Sequence, residues 1–160
     1  MQKTFRVSSG IIYMRKNIFV FNLGLINLIQ YNSVLACVTQ QKSCERLIHA
    51  AAELKKDDGL LYVIHVTEQN WNFFDNTEDG EAMEHLFSIS KSYGADLTIL
   101  NSNRIIETIS QFAQHYKIEL IVIGEAPEGN PCAFAEKLQE LLDDSRIAVQ
   151  VVASEQIKTF

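Results

Sequence analysis

Residues 105–124 read IIETISQFAQHYKIELIVIG. In the first part, Ile105, Ile109, Phe112, Ala113 and Tyr116 recur at three- and four-residue intervals, which puts them on one stripe of an amphipathic helix. In the last part, Glu119–Gly124 is a nearly continuous run of Leu, Ile and Val. It is short enough for a strand and apolar enough to be covered on both faces. Ser102 or Asn103 can cap the helix. A helix feeding a strand of this kind is one unit of a parallel sheet.

The same alternation extends outward from Val34. Further strand-like runs are Val34–Thr39, Leu60–Val66, Ala95–Leu100 and Ile147–Ala153. Three more helical stripes lie between them: Cys44, Leu47, Ile48, Ala51 and Leu54; Met83, Leu86, Phe87, Ser90 and Tyr93; and Phe134, Leu138, Leu141 and Leu142. Ser43 can cap the first helix, and Asn130-Pro131 is a cap followed by Pro at the first helical position. Asp57-Asp58-Gly59 and Tyr93-Gly94 read as helix stops. Right-handed β-α-β crossovers then predict an α/β fold, an open parallel five-stranded sheet with helices on both faces.

Composition narrows the class. The chain has 160 residues, 47% of them hydrophobic and 21% charged, which suits one globular domain. The net charge of −6 disfavours nucleic acid and anionic membranes as partners. Three irregularly spaced Cys read as a reduced, cytoplasmic chain. His49, His65, His85 and His115 show no metal-ligand spacing, so no metal is expected. His65 reads as a satisfied core or edge residue of its strand. Cys44 and Cys132 sit at helix starts, but the apolar neighbours of Cys44 make it a small core residue.

Residues 1–33 stand outside this rhythm. Ile18–Tyr31 is apolar but carries Asn22, Asn27 and Gln30, and its 14 residues are too few for a membrane span. Val34-Leu35-Ala36-Cys37 matches a loose lipobox, but lipidation at Cys37 would sacrifice the first strand, so Cys37 is read as a buried strand residue. The expected organisation is a leader or accessory segment at 1–33, an α/β domain at 34–153 and a tail at 154–160.

Residues 38–51 (VTQQKSCERLIHAA), 61–66 (LYVIHV) and the opening stretch, 105–124, resemble the universal stress protein (UspA-like) domain. They are most similar to the version in KdpD-type osmosensitive potassium sensor kinases. The resemblance covers about residues 34–153 and implies strand order 3-2-1-4-5. In open parallel sheets the ligand crevice lies at the carboxyl ends of the strands where the order reverses, here between the first and fourth strands. The crevice residues expected on that basis are Thr39, Gln40, Lys42 and Ser43 on one wall and Gly124, Gly129 and Asn130 on the other.

The resemblance also exposes departures. Nucleotide-binding members carry an acidic residue ending the first strand and a Gly-x-x-Gly-x(9)-Gly-(Ser/Thr) run after the fourth. Here Thr39 replaces the acid, Gly124 is kept, and Pro127 and Lys137 stand where the other glycines belong. Glu125 and Glu128 would repel phosphate. The expectation is a degenerate nucleotide site with no cofactor, ATP or another nucleotide being the alternative. Trp71, Phe73 and Phe74 in the loop Thr67–Gly80 could stack on a base, but rings there more often cover a sheet edge or a contact. No motif for a cyclic dinucleotide is present in that loop.

Enzyme classes fail on chemistry. No Gly-x-Ser-x-Gly elbow, Walker loop or Rossmann glycine triplet occurs. The strand ends Thr39 and Leu100-Asn101 lack the acids of a phospho-receiver. The expected function is a non-catalytic universal-stress-type regulatory domain, linked by analogy to potassium or stress sensing through a signalling protein partner. The alternatives are an adenine-nucleotide or cyclic-dinucleotide sensor and a small α/β enzyme. Ile147–Ala153 has no Lys or Pro to guard an edge, and the resemblance implies homodimerisation through it, the competing outcome being that residues 1–33 fold back and cover the edge within one chain.

Overall fold

A computed structural model describes residues 3–7, 10–15, 18–21, 30–38, 44–68, 77–125 and 133–152. The strands are β1 (Lys3–Val7), β2 (Gly10–Arg15), β3 (Ile18–Phe21), β4 (Tyr31–Cys37), β5 (Lys55–Thr67), β6 (Asp96–Asn101), β7 (Leu120–Gly124) and β8 (Ala148–Val152). The helices are α1 (Cys44–Leu54), α2 (Thr77–Ser92), α3 (Ile105–His115) and α4 (Ala133–Leu141).

The strands form one sheet in the order β1-β2-β3-β8-β7-β4-β5-β6. The segment β6-β5-β4-β7-β8 is wholly parallel and is the expected 3-2-1-4-5 arrangement. Its faces follow from side-chain alternation. Leu35 and Cys37 of β4 join Ile121, Ile123, Val149 and Val151 under α3 and α4. Val34, Ala36 and Val38 join Val63, Leu120 and Val122 under α1 and α2. Residues buried on both faces explain why these strands read as unbroken apolar runs.

Several helix stripes are narrower than the spacing suggests. Phe87 is 58% exposed and Leu141 is 47% exposed, so neither belongs to the core. On α2 it is Ile89 that packs inward with Met83, Leu86 and Tyr93. Tyr116 is 45% exposed, yet its ring lies 4.4 Å from Phe112 and 5.4 Å from Tyr62. Cys37 is buried in β4, and burial pushes its thiol far above the ordinary range, as expected of a core cysteine.

Asp57-Asp58-Gly59 does not end α1. The helix stops at Leu54 and β5 begins at once. The three residues lie in an irregularity where Tyr31 pairs with Lys55 but Ser33 pairs with Leu60. A Cβ at Gly59 would sit 2.9 Å from the Asn32 carbonyl oxygen and 2.8 Å from Lys55 Cγ, so this close approach requires glycine. Gly94, by contrast, does end its helix, with φ of +67°.

Three strands lie within residues 1–33. β1, β2 and β3 form an antiparallel meander, and β3 then pairs parallel with β8, Ile18 opposite Val149 through Phe21 opposite Val152. The strand expected from Val34 begins at Tyr31. The expectation that Ile147–Ala153 is an open edge, ready for a second copy, is thereby corrected. A strand from the same chain fills its backbone positions, and the edges among the described residues are β1 and β6. Ala153 and residues 154–160 lie outside the described residues.

The amino end of β4 is tied to β7 by a polar lock. Asn32 donates to the Glu119 carboxylate through its backbone N–H at 2.7 Å and its side-chain amide at 2.8 Å. Lys56 Nζ donates to Asn32 Oδ1 at 3.0 Å, and Ser33 Oγ donates to the Lys117 carbonyl at 2.8 Å. The Asn32 side chain first, then its backbone N–H, holds the Glu119 carboxyl below its ordinary value. That contribution is fully present above the ordinary glutamate range and is lost as pH falls through the lowered value. Glu119→Gln therefore lowers stability at neutral pH by about 1 kcal/mol, the size of one hydrogen bond at an exposed site. In urea melts the gap between variant and parent narrows as pH falls below the ordinary Glu value of about 4.3.

Candidate functional site

Strand order reverses between β4 and β7, and their carboxyl ends separate there. The last paired residues are Cys37 and Ile123. Beyond them the Val38 N–H donates away from β7, to the Ile64 carbonyl of β5 at 2.9 Å. The Glu125 N–H donates the opposite way, to the Val152 carbonyl of β8 at 3.0 Å. Each strand end leans on its outer neighbour, and this reversal point is where open parallel sheets bind ligands.

Gly124 lies at the base of this opening. A Cβ there would sit 3.5 and 3.7 Å from the two methyl carbons of Leu47, ordinary contact with the first turns of α1. Cys44 begins α1 and is 1% exposed. Desolvation is the main cause raising its thiol above the ordinary value, with the Glu45 charge adding to it. The helix N-terminus does not make it a thiolate, and the reading as a small core residue holds. Glu45 and Arg46 share the same first turn, and Glu125 stands half-buried at the lip of the other strand.

His65 has a more specific place than the strand pattern alone indicates. Its Nδ1 lies 2.7 Å from the Val38 carbonyl oxygen, so a proton on Nδ1 ties β5 to the last described residue of β4. At the end of the same strand Thr67 Oγ1 donates to the Leu100 carbonyl of β6, and the Ser102 N–H donates to the Thr67 carbonyl. These bonds set the ends of β5 and β6 level with the crevice.

Of the expected crevice residues, Gly124 is at the reversal point. Thr39, Gln40, Lys42, Ser43, Gly129 and Asn130 lie outside the described residues, as do Trp71, Phe73 and Phe74 and the cap residues Ser43 and Asn130. Sequence spacing gave no reason to place His65 against the end of β4 or Leu47 against Gly124. The register of β5 on β4 brings His65 to the Val38 carbonyl, and the packing of α1 brings Leu47 to Gly124. Among the described residues no three His, Cys, Asp or Glu gather as metal ligands, and no helix is long and apolar enough to cross a membrane. His49 pairs with Tyr93, its Nδ1 3.3 Å from the hydroxyl.

The sequence matches no family model and none of the curated proteins. Solved structures do match. A hypothetical protein, MJ0577, is 16% identical over 80% of this chain and 99% of its own, with a TM-score of 0.54. A universal stress protein from Archaeoglobus fulgidus in complex with dAMP is 21% identical over 77% of this chain and 98% of its own, with a TM-score of 0.50. The fold is that of the universal stress proteins. A universal stress family protein from Arabidopsis thaliana with AMP bound is similar at 13% identity, covering 81% of this chain and 97% of its own, with a TM-score of 0.50. Identities of this size establish the architecture of a universal stress domain here, and activity has to be argued from the site.

The Gly124 environment is directly testable. Gly124→Ala meets Leu47 at contact distance, and its φ is not in the left-handed region. It leaves stability unchanged or raises it by about 0.5 kcal/mol through the unfolded chain. Gly124→Val drives a branched carbon against Leu47 and costs roughly 1–3 kcal/mol. Denaturant midpoints of the two variants separate these outcomes.

Proposed function

We propose that this chain is a universal-stress-type regulatory domain that works by binding and not by catalysis, with a crevice degenerate toward nucleotide phosphates. The observation that carries the reading is on α4. By the resemblance, a glycine and a hydroxyl residue occupy positions 137 and 138 and meet the phosphates. Here these are Lys137 and Leu138, one turn inside a helix that begins at Ala133. Leu138 is fully buried in the core between α4 and the sheet, so it offers no hydroxyl and no open backbone N–H. Pro127 in place of a further glycine and the charges of Glu125 and Glu128 act in the same direction.

In this reading the domain acts in the cytoplasm on a protein partner in potassium or stress signalling, as the similarity to the KdpD-type sensor-kinase domain suggests. No cofactor is needed, and neither nucleic acid nor a membrane span enters. The dispersed His and Cys side chains support a non-catalytic role.

A second reading is an adenine-nucleotide sensor. It is favoured by the bound dAMP and AMP of the Archaeoglobus and Arabidopsis proteins that share the fold. The two readings differ in linkage. A ligand stabilises the native state by RT ln(1 + [L]/Kd), so a ligand held at 100 times its Kd adds about 2.7 kcal/mol. On the first reading millimolar ATP or AMP leaves Tm within about a degree of the unliganded protein, a shift worth only a few tenths of a kcal/mol. A rise of several degrees, abolished by Lys42→Ala with Ser43→Ala, establishes the sensor reading instead.

A further inference from the structure

β6 ends the sheet, with β5 as its one strand neighbour among the described residues. The bonds at its carboxyl end show which backbone groups face out. The Ser102 N–H donates to the Thr67 carbonyl, and the Leu100 carbonyl accepts from Thr67 Oγ1. Residues 100 and 102 therefore turn their main-chain groups toward β5. Successive residues alternate, so Leu97, Ile99 and Asn101 turn theirs outward, to a rim where no described strand pairs with them. Open edges are ordinarily guarded by charge, Lys above all, or by Pro. The opposite edge, β1, carries Lys3 and Arg6, whereas β6 reads DLTILN and has no Lys, Arg or Pro. Ile99 shares a face with Leu97, which packs under α2, yet Ile99 is 40% exposed.

We propose that the β6 edge is a docking site for a second copy of this chain, the two strands pairing antiparallel about a two-fold axis at Ile99. The backbone selects this register. An axis through an outward-facing residue lets that residue and its copy exchange both N–H···O bonds. Centred on Ile99, Leu97 of each strand also pairs with Asn101 of the other, so every outward donor and acceptor of both strands is used. Centred on Thr98, Asn101 would fall opposite Ala95, whose N–H is already given to the Ser90 carbonyl. The side chains agree with the first register. Ile99 meets Ile99 on the α2 face, Thr98 meets Leu100 on the other, and Asp96 falls opposite Ser102, so no like charges face each other. The axis stands perpendicular to the sheet, so the α2 helices of both copies lie on one face. The contact is at the far end of the sheet from β8 and leaves β3 in place. Because the strands run in opposite directions, the carboxyl ends of the two sheets open at opposite rims and neither blocks the other.

The test is sedimentation of the full-length chain from low to high micromolar concentration. The parent gives a concentration-dependent dimer. Ile99→Lys sets like charges against each other at the axis and gives a monomer with its helical circular dichroism kept. Ile99→Pro removes an outward N–H and no bond to β5, and gives the same result by a different route. Under mild oxidation Ile99→Cys links two chains, since a hydrogen-bonded antiparallel pair holds its Cα atoms about 5.5 Å apart, within disulfide reach. Asn101→Cys lies four residues along the strand from its own copy, about 14 Å, and does not link. The parent, with its own three Cys, sets the background for both. A parent that stays monomeric at high micromolar concentration, a dimer that survives Ile99→Lys, or linking that is equal at positions 99 and 101 would each overturn the proposal. If Ile99→Pro unfolds, the Lys and Cys variants decide.

Discussion

Everything in this fold leans on β4 having a paired neighbour on each side and a helix layer on each face. Val34, Leu35 and Ala36 are wholly buried, so none of their backbone groups can reach water. Each must find a partner in β5 or β7, and the ladder on both sides provides it. Covering both faces then requires α1 and α2 on one side and α3 and α4 on the other. The strand order, the helix placement and the crevice at the carboxyl end of β4 all follow from that single buried strand.

The two ends of β4 are finished differently. At the amino end, Asn32, Glu119 and Lys56 close the join with polar groups at an exposed rim. At the carboxyl end the rungs to β7 stop, and Val38 turns its bonds to Ile64 and His65 on β5. One end is a lock and the other an opening. That asymmetry is why the proposed binding function is assigned to the carboxyl end. In the proposed reading the same geometry serves nucleotides only when the loops supply glycine and hydroxyl groups, and Leu138, at one of the positions the resemblance assigns to a hydroxyl, is buried in the core.

The five-stranded parallel segment was legible because doubly covered strands are continuous apolar runs and the helices between them keep a 3.6-residue period. What was not legible is instructive. Ile18–Tyr31 reads as one apolar stretch, but only Ile18–Phe21 is β3, and Tyr31 already belongs to β4. The status of β8 as an interior strand depends on pairing with residues about 130 positions earlier in the chain, a non-local choice that local pattern cannot encode. Phe87 and Leu141 have the right spacing for a core face, yet the helices bury narrower stripes, so spacing alone overfilled the core. At the reversal point Gly124 could be placed from the resemblance, whereas the contact of His65 with the end of β4 required the register of β5 against β4.

The proposed function centres on a universal-stress fold whose crevice does not hold a nucleotide. Native mass spectrometry of the full chain, purified without added ligand, tests this most directly, because a tightly bound nucleotide survives purification as a discrete added mass. The account predicts the bare polypeptide mass alone. A stoichiometric adduct of the mass of AMP, ATP or a cyclic dinucleotide would contradict it.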